Sequence, residues 1–198
     1  MDVLVLGSKG STGKRYASIL KSMGHTVCEC DIGDSVPADV KKAVIATPTG
    51  LHVQHIEELV DMGYNKILCE KPISYIPAEI ESLKSLPAEI NMVNNWCYSG
   101  AICFAPGMNS IYYDNKHSGN EETLWNCIQL VYLAGDNTLT ITEDSEKMLC
   151  QFNFQWISFD NIEWSYKTML EMWLNGSKTM WTLDDAKKAT EKVIRRIG

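Results

Sequence analysis

Four predicted elements follow one another at the start of the chain: a strand, a glycine-rich turn, a helix and a second strand. The apolar run at residues 2–6, rich in leucine and valine, is typical of a buried parallel strand. The turn GSKGSTG follows it, and residues 14–23 then repeat apolar side chains at helical spacing before Gly24 ends the helix. The second strand ends at Asp31. This succession within about 30 residues predicts the βαβ unit that binds dinucleotides.

The same alternation of short apolar runs and amphipathic segments continues to residue 95. Strands are predicted at residues 42–47, 66–69 and 89–94, and helices at residues 51–62 and 77–86. Strands that alternate with helices form a parallel sheet with helices on its faces. Residues 1–95 are therefore predicted to form an α/β domain of the Rossmann type, with a doubly wound parallel sheet.

The pattern changes after residue 95, where the predicted strands are longer or alternate polar with apolar residues. Strands are predicted at residues 111–113, 138–142 and 148–157, and helices at residues 123–133, 164–174 and 184–197. Residues 96–198 are predicted to form a small α+β domain with a mostly antiparallel sheet, whose final helix can pack back on the first domain. All six tryptophans lie in this half, which favours a buried core or subunit interface over a sugar-stacking surface and predicts a homodimer or larger assembly.

Composition excludes several classes of function. The chain has 25 acidic and 18 basic residues and a formal charge of −7, so it is not built to bind a nucleic acid. No apolar stretch approaches the roughly 18 residues that span a bilayer, so no membrane partner is predicted and a cytoplasmic location is expected. The seven cysteines are odd in number and lack a CxxC pair, which indicates reduced packing residues rather than disulfides or zinc ligands.

The glycine turn supplies positions at which a backbone can approach a pyrophosphate. Gly7, Gly10 and Gly13 have the spacing GxxGxxG, one residue longer than the common GxGxxG. The helix that follows directs its amide groups and its dipole at negative charge. Further phosphate-binding candidates are Ser8, Lys9, Ser11 and Thr12. A tight strand-to-helix turn without a ligand is the alternative interpretation of the same glycines.

Asp31 ends the second predicted strand, where a carboxylate can accept hydrogen bonds from both hydroxyls of an adenosine ribose and repel a 2′-phosphate. This position favours NAD, while the polar residues of the glycine turn leave NADP open. A turn-forming role before Gly33 is the alternative for Asp31.

Two later segments carry a more specific pattern. Residues 43–64 read AVIATPTGLHVQHIEELVDMGY, and residues 67–74 read ILCEKPIS. Together they resemble the motifs of the Gfo/Idh/MocA family of NAD(P)-dependent oxidoreductases, and residues 165–173 and 182–197 are similar to the last helices of that family. The resemblance implies NAD or NADP as cofactor and a small-molecule substrate held between two domains.

The resemblance also implies roles for particular residues. The cofactor-lining positions are Thr47, Pro48, Thr49, His52 and Glu70. Lys71, in the EKP motif, is implied to lie near the nicotinamide and to position or protonate the substrate oxygen, since an ammonium beside a carbonyl stabilises developing negative charge. A surface ion pair with Glu70 is the alternative for Lys71. His52 and His55 lack a further ligand at suitable spacing, so no metal site is predicted.

The chain departs from the family in two places. Only eleven residues separate Asp31 from Ala43, so one βα segment of the sheet is expected to be missing. In the second half, the helix that ordinarily carries a catalytic aspartate and histidine has Trp125, Asn126 and Cys127 near the expected histidine. Nearby alternatives are Asp114, His117, Glu121 and Glu122. The candidate substrate-bordering residues are Asn94, Asn95, Trp96, His117 and Asn126.

Two functions of different classes follow from these patterns. The first is an NAD(P)-dependent oxidoreductase that transfers a hydride between the nicotinamide and a small carbonyl, a sugar-like alcohol or a conjugated substrate. The second is a non-catalytic nucleotide-binding or assembly protein derived from the same family, which the missing histidine and carboxylate motivate.

Overall fold

The computed structural model describes residues 2–98 and 162–198, together with shorter stretches between them. These stretches are residues 110–111, 121, 124–125, 128–134, 138–139, 149–152 and 155–158. Through residue 92 the described chain alternates strands with helices or turns, and its last part is helical.

Five parallel strands form the central sheet. They are β1 (Val3–Leu6), β2 (Val27–Cys30), β3 (Lys42–Ile45), β4 (Lys66–Cys69) and β5 (Glu89–Met92), in the spatial order β2-β1-β3-β4-β5. The chain runs outward from β1 to β2 and then returns to the opposite side of β1, so the topological switch point lies between β1 and β3. Open α/β sheets bind ligands beside the carboxyl ends of the strands at such a point. The predicted parallel sheet of the Rossmann type is confirmed.

Helices cover both faces of this sheet. They are α1 (Ser11–Ser22), α2 (His52–Asp61), α3 (Pro77–Ser82), α4 (Ile128–Ala134), α5 (Ile162–Leu174) and α6 (Leu183–Ile197). Apolar side chains of α1 and α5 pack with Val5 and Val44, while those of α2, α3, α4 and α6 pack with Leu4 and Ile45. Because successive strand residues point to opposite faces, these two clusters are the two faces of the sheet. Residues 162–198, assigned to the second domain on sequence, therefore pack on the sheet of the first.

The connection between β2 and β3 contains neither a helix nor a strand, and every residue in it is described. Val40 is buried in the same cluster as Cys30, with Val36 packed against that cluster. Tyr64, which follows α2, donates a hydrogen bond from its hydroxyl to the Pro37 carbonyl oxygen at 2.5 Å. The chain thus crosses from β2 to β3 without the βα segment that its short spacing already predicts to be missing.

The described part of the region between residues 99 and 161 contains two small strand pairs. β6 (Ser110–Ile111) pairs in parallel with β7 (Thr138–Leu139), and β8 (Leu149–Phe152) pairs antiparallel with β9 (Gln155–Ser158). The single strand predicted at residues 148–157 is wrong, since this segment supplies both strands of the antiparallel pair. The small second domain, its larger antiparallel sheet and the homo-oligomer stay predictions, because most of the residues concerned lie outside the described ones. None of the helices in the described parts is long and apolar enough to cross a membrane.

A charged cluster on the surface joins α3 and the turn after it to the start of α6. Glu81 accepts hydrogen bonds from Lys187 and Lys84, both at 2.8 Å, and Lys84 also contacts Asp184 at 2.6 Å. These two ammonium groups lower the pKa of Glu81 from 4.5 to about 2. A carboxyl whose pKa is lower in the folded than in the unfolded chain stabilises the fold while it is ionised. The contribution is therefore complete above about pH 4.5 and is lost as the pH falls toward about 2.

We expect Glu81→Gln to lower the melting temperature slightly at neutral pH, and less at high salt because the cluster is exposed. The difference from the wild type should shrink as the pH falls below about 4. Glu57→Gln, which removes another exposed glutamate on α2, is the control. A difference between wild type and Glu81→Gln that grows on acidification would contradict the assignment.

Candidate cofactor and active site

The three glycines of the turn between β1 and α1 differ in how much space the structure leaves for a side chain at each position. Gly7 has a φ of +88°, and a Cβ at this position would lie 2.6 Å from the Ala46 carbonyl oxygen. A Cβ at Gly13 would lie 2.1 Å from the Gly7 carbonyl oxygen, which no side chain tolerates. A Cβ at Gly10 would meet only that same oxygen, at 3.4 Å. The first and third glycines are therefore required by the protein's own backbone, whereas the second leaves the turn open to an approaching group.

The turn is held rigidly and ends at an uncapped helix terminus. The backbone N–H groups of Gly7 and Ser8 both donate to the Cys30 carbonyl oxygen, at 2.9 and 3.0 Å, which joins the end of β1 to the end of β2. Gly10 is the N-cap of α1 and makes no side-chain cap, and the first turn of α1 carries no acidic residue. The first amide groups of α1 and the positive end of its dipole are therefore available to an anion such as a pyrophosphate.

Asp31 lies beside this turn, directly after β2. Its Oδ1 accepts the backbone N–H of Ile32 at 2.8 Å, and its own N–H donates to Asp34 Oδ2 at 2.7 Å. Asp31 therefore does form a turn, as the alternative interpretation stated, and it also occupies the expected place at the carboxyl end of β2. Asp34 Oδ2 lies 3.9 Å from Nζ of Lys9, which connects this turn to the glycine turn.

A second group of residues follows β3 and β4 at the same edge of the sheet. His52 is fully buried, and its two ring nitrogens lie beside backbone carbonyl oxygens, with Nε2 2.7 Å from Thr47 and Nδ1 2.8 Å from Pro72. A neutral imidazole carries one N–H and donates it to one of these oxygens at a time. Burial lowers the pKa of His52, while the two carbonyl oxygens and Glu70 oppose this effect. The imidazole thereby ties the segment after β3 to the segment after β4.

His55 contacts the same segment after β3 as His52 does. Its Nδ1 lies 3.0 Å from the hydroxyl of Thr47, and burial lowers the pKa of His55. Within the parts of the chain that the structure describes, no group of three or more histidine, cysteine or acidic side chains could hold a metal ion. Both histidines contact Thr47, one through its hydroxyl and the other through its carbonyl oxygen.

The EKP motif continues from β4 toward the same edge. Glu70 is buried, and its Oε1 accepts a hydrogen bond from the hydroxyl of Tyr16 at 2.7 Å. Its Oε2 accepts the backbone N–H of Lys71 at 3.0 Å. The peptide bond between Lys71 and Pro72 is cis. Lys71 itself is half-buried, and β4 lies two strands from β1, which corresponds to about 10 Å at the usual strand spacing.

Tyr16 was missed as a site residue, because sequence periodicity places it on the apolar face of α1. A signal was nevertheless present. A buried tyrosine hydroxyl needs a hydrogen-bond partner, and a glutamate directly after a buried strand needs a donor. The sequence does not show that these two groups satisfy each other across 54 positions of the chain.

Of the five candidate substrate-bordering residues, the structure describes the side chains of two, Asn94 and Asn95. Asn94 is 0% exposed, and its Nδ2 donates to the Thr179 carbonyl oxygen at 3.1 Å. Asn95 is 2% exposed, and its Oδ1 accepts from Gln129 Nε2 at 3.1 Å. Both amides are buried and make hydrogen bonds within the protein, although Asn94 Oδ1 has no partner among the described residues. The substrate contact predicted for them stays a prediction. Trp96 lies in a turn whose backbone is described but whose side chain is not, and His117 and Asn126 lie outside the described residues.

The parallel sheet, the open glycine turn at its switch point and the aspartate after β2 together define a dinucleotide-binding protein of the Rossmann class. Residues 11–93 match the family model GFO_IDH_MocA, described as an oxidoreductase family with an NAD-binding Rossmann fold. The motifs that resemble the Gfo/Idh/MocA family lie mostly in this segment, and the match confirms that resemblance. The family is an NAD-binding one, which confirms the predicted type of cofactor.

Solved structures show the same fold at low sequence identity. UDP-N-acetylglucosamine 3-dehydrogenase GnnA from Acidithiobacillus ferrooxidans is 11% identical with a TM-score of 0.76, covering 98% of this chain and 96% of its own. The WlbA dehydrogenase from Thermus thermophilus, solved with NAD and UDP-GlcNAcA, is 14% identical with a TM-score of 0.71, covering 98% and 93%. Biliverdin reductase from Synechocystis, solved with biliverdin and NADP+, is 10% identical with a TM-score of 0.64, covering 96% of each chain. No curated protein sequence matches the chain.

Proposed function

We propose that this protein is an NAD(P)-dependent oxidoreductase that transfers a hydride between the nicotinamide and a small carbonyl, a sugar-like alcohol or a conjugated substrate. The observation that carries this proposal is the position of Lys71. It follows β4 at the same edge of the sheet as the glycine turn that follows β1, with β3 and Thr47 between them. A dinucleotide lying along this edge with its pyrophosphate at the turn would extend its nicotinamide end toward Lys71.

The residues present fit such a cofactor. Gly10 leaves the turn open, and α1 begins without a cap or an acidic side chain. The remaining phosphate-binding candidates around it are Ser8, Lys9, Ser11 and Thr12. Asp31 would hold the adenosine ribose, and Thr47, Pro48 and Thr49 would border the nicotinamide. When bound, the cofactor supplies or accepts the hydride.

Lys71 acts on the substrate oxygen. Its ammonium group stabilises the negative charge that develops on a carbonyl oxygen during reduction, and it can deliver the proton that completes the alcohol. His52 and Glu70 are buried, so we assign them to holding the backbone at Thr47, Lys71 and Pro72 rather than to broad contact with the cofactor.

The cofactor assignment is tested by titrating the purified protein with NADH and with NADPH. We expect saturable binding, with NADH preferred, and we expect Asp31→Ala to weaken NADH binding about tenfold or more through loss of charge-assisted hydrogen bonds. NADPH affinity should change much less, because the lost carboxylate also repelled its extra phosphate. Asp39→Ala, which removes an exposed carboxylate from the same connection, is the matched control. Absence of saturable binding for both nucleotides would reject the proposal.

A non-catalytic nucleotide-binding or assembly protein is the second candidate. The observation that favours it is the presence of Trp125, Asn126 and Cys127 where the family's second-domain histidine is expected. Such a protein would keep cofactor affinity while transferring no hydride, and the Lys71 variants described in the Discussion separate the two candidates.

A further inference from the structure

We propose that Tyr16 is a positioning residue, which acts through Glu70 to hold the backbone of Lys71 in a fixed relation to the helix that receives the cofactor. This inference rests on the proposed function, in which Lys71 acts on the substrate and α1 receives the pyrophosphate. Tyr16 itself touches neither reacting group.

Glu70 orients Lys71 through the main chain. The backbone N–H of Glu70 donates to the Ile45 carbonyl oxygen at 2.9 Å, which extends the pairing of β4 with β3 by one residue. Its side chain then turns back, and Oε2 accepts the N–H of Lys71 at 3.0 Å. Because this bond fixes the plane of the peptide between Glu70 and Lys71, it also limits the direction in which the Lys71 side chain leaves the backbone.

Tyr16 holds the other oxygen of the same carboxylate. Its hydroxyl donates to Glu70 Oε1 at 2.7 Å, and Tyr16 is 0% exposed while Glu70 is 9% exposed. Burial and the neighbouring carboxylate raise the pKa of Tyr16 well above its usual value, so the hydroxyl stays a donor at every physiological pH. A hydrogen bond from a neutral donor to a charged acceptor in a buried place is stronger than one in water.

The ring of Tyr16 is itself fixed in place. It packs edge-on against Tyr166 of α5, with ring centroids 5.3 Å apart and an interplanar angle of 78°. Arg15 lies over the Tyr166 ring at 5.2 Å from its centroid. These contacts restrict the position of the Tyr16 ring, so its hydroxyl offers the Glu70 carboxylate a fixed donor.

Tyr16 also lies in α1, the helix that is proposed to receive the pyrophosphate of the cofactor. It lies three positions after Gly13 in α1, the helix whose first turn faces the proposed pyrophosphate position. One chain of contacts therefore connects the glycine turn with Lys71: the helix, the Tyr16 hydroxyl, the Glu70 carboxylate and the Lys71 amide. We infer that this chain keeps the lysine at a constant distance from the bound nicotinamide.

The test compares Tyr16→Phe with Tyr64→Phe in the full chain. Tyr64 is a matched control, because it is 1% exposed and its hydroxyl donates a single hydrogen bond to Pro37, before β4 and so at the opposite edge of the sheet. Lysines are reductively methylated with an isotope-labelled reagent, and the Lys71 signal is assigned with Lys71→Arg. NADH is the probe, its affinity is measured by fluorescence titration, and the NMR signal of Lys71 is recorded with and without it.

We expect NADH to shift the Lys71 signal in the wild type and in Tyr64→Phe. In Tyr16→Phe the NADH affinity should stay within about threefold of the wild type, while the shift of the Lys71 signal is lost or broadened. The double variant Tyr16→Phe with Glu70→Gln should lose no more of the NADH-induced Lys71 shift than Glu70→Gln alone, because both changes break the same chain of contacts. If Tyr16 had a purely structural role, Tyr16→Phe would have a lower melting temperature than the wild type, but its Lys71 signal would respond to NADH as in the wild type.

The outcomes separate this inference from the proposed function. A wild type that binds neither NADH nor NADPH overturns both. A wild type whose Lys71 signal responds to NADH, together with an equal response in Tyr16→Phe, overturns the positioning role alone. Should Tyr16→Phe fail to fold, Glu70→Gln decides: loss of the Lys71 response supports the role, and a normal response overturns it.

Discussion

The Gly13→Ala variant is expected to lose about 3 kcal/mol or more of its free energy of unfolding, because the added methyl group has no space. Its Cβ would lie 2.1 Å from the Gly7 carbonyl oxygen and 2.9 Å from the Ser8 Cα, and both are backbone atoms of the turn. The turn cannot yield, because the amides of Gly7 and Ser8 are bound to Cys30. The helix α1 would have to move away from β1, which opens the core around Tyr16 and Leu20.

Gly10→Ala is the matched control for this prediction. Its Cβ would meet no heavy atom closer than 3.4 Å, so denaturant unfolding should give a stability close to that of the wild type. NADH affinity should nevertheless fall in Gly10→Ala, because the methyl group occupies the open side of the turn. Equal stability losses in the two variants would contradict the different roles assigned to the two glycines.

Replacement of Lys71 by methionine is expected to lower the rate of hydride transfer about a hundredfold to ten-thousandfold, with NADH affinity nearly unchanged. Methionine keeps most of the length and apolar character of the lysine stem but supplies neither charge nor proton. The measurement is the oxidation of NADH in the presence of a panel of 2-oxo acids, keto sugars and conjugated carbonyl compounds, with the best of them used for all variants.

Lys71→Arg separates the two actions of the ammonium group. Arginine keeps the positive charge but does not release a proton at any accessible pH, so it should restore part of the rate if charge dominates and little if proton transfer dominates. Full activity of Lys71→Met would remove Lys71 from the mechanism. A wild type that binds NADH tightly yet reduces no compound of the panel would instead favour the non-catalytic candidate.

The local pattern of apolar and turn-forming residues was sufficient to predict much of the fold. All five strands of the sheet and the helices α1, α2 and α3 lie within a few residues of their predicted positions, because each is short and bounded by glycine, proline or a change in hydrophobic period. The missing βα segment was also predictable, since eleven residues cannot hold a helix, a strand and a second helix. The EKP motif and the helix that begins at His52 indicated the family before any contact was known.

Side-chain partners were not predictable in the same way. Asn94 and Asn95 follow a strand at the binding edge, and this position predicts contact with substrate. The sequence does not show that both amides also bind residues of α4, α5 and the segment before α6. The segment at residues 148–157 looked like one long strand, because only two residues separate the two paired strands and the hydrophobic pattern is nearly continuous.

The amino-acid sequence alone determined the order of the strands and helices in the first half, the glycine turn and the resemblance to the family, since these depend on neighbouring residues and short motifs. The three-dimensional packing decided which of these residues meet. Tyr16 binds Glu70, His52 binds Thr47 and Pro72, and the final helices lie on opposite faces of the sheet. Such contacts join positions far apart in the chain, and burial and hydrogen-bond satisfaction, rather than local propensity, select them.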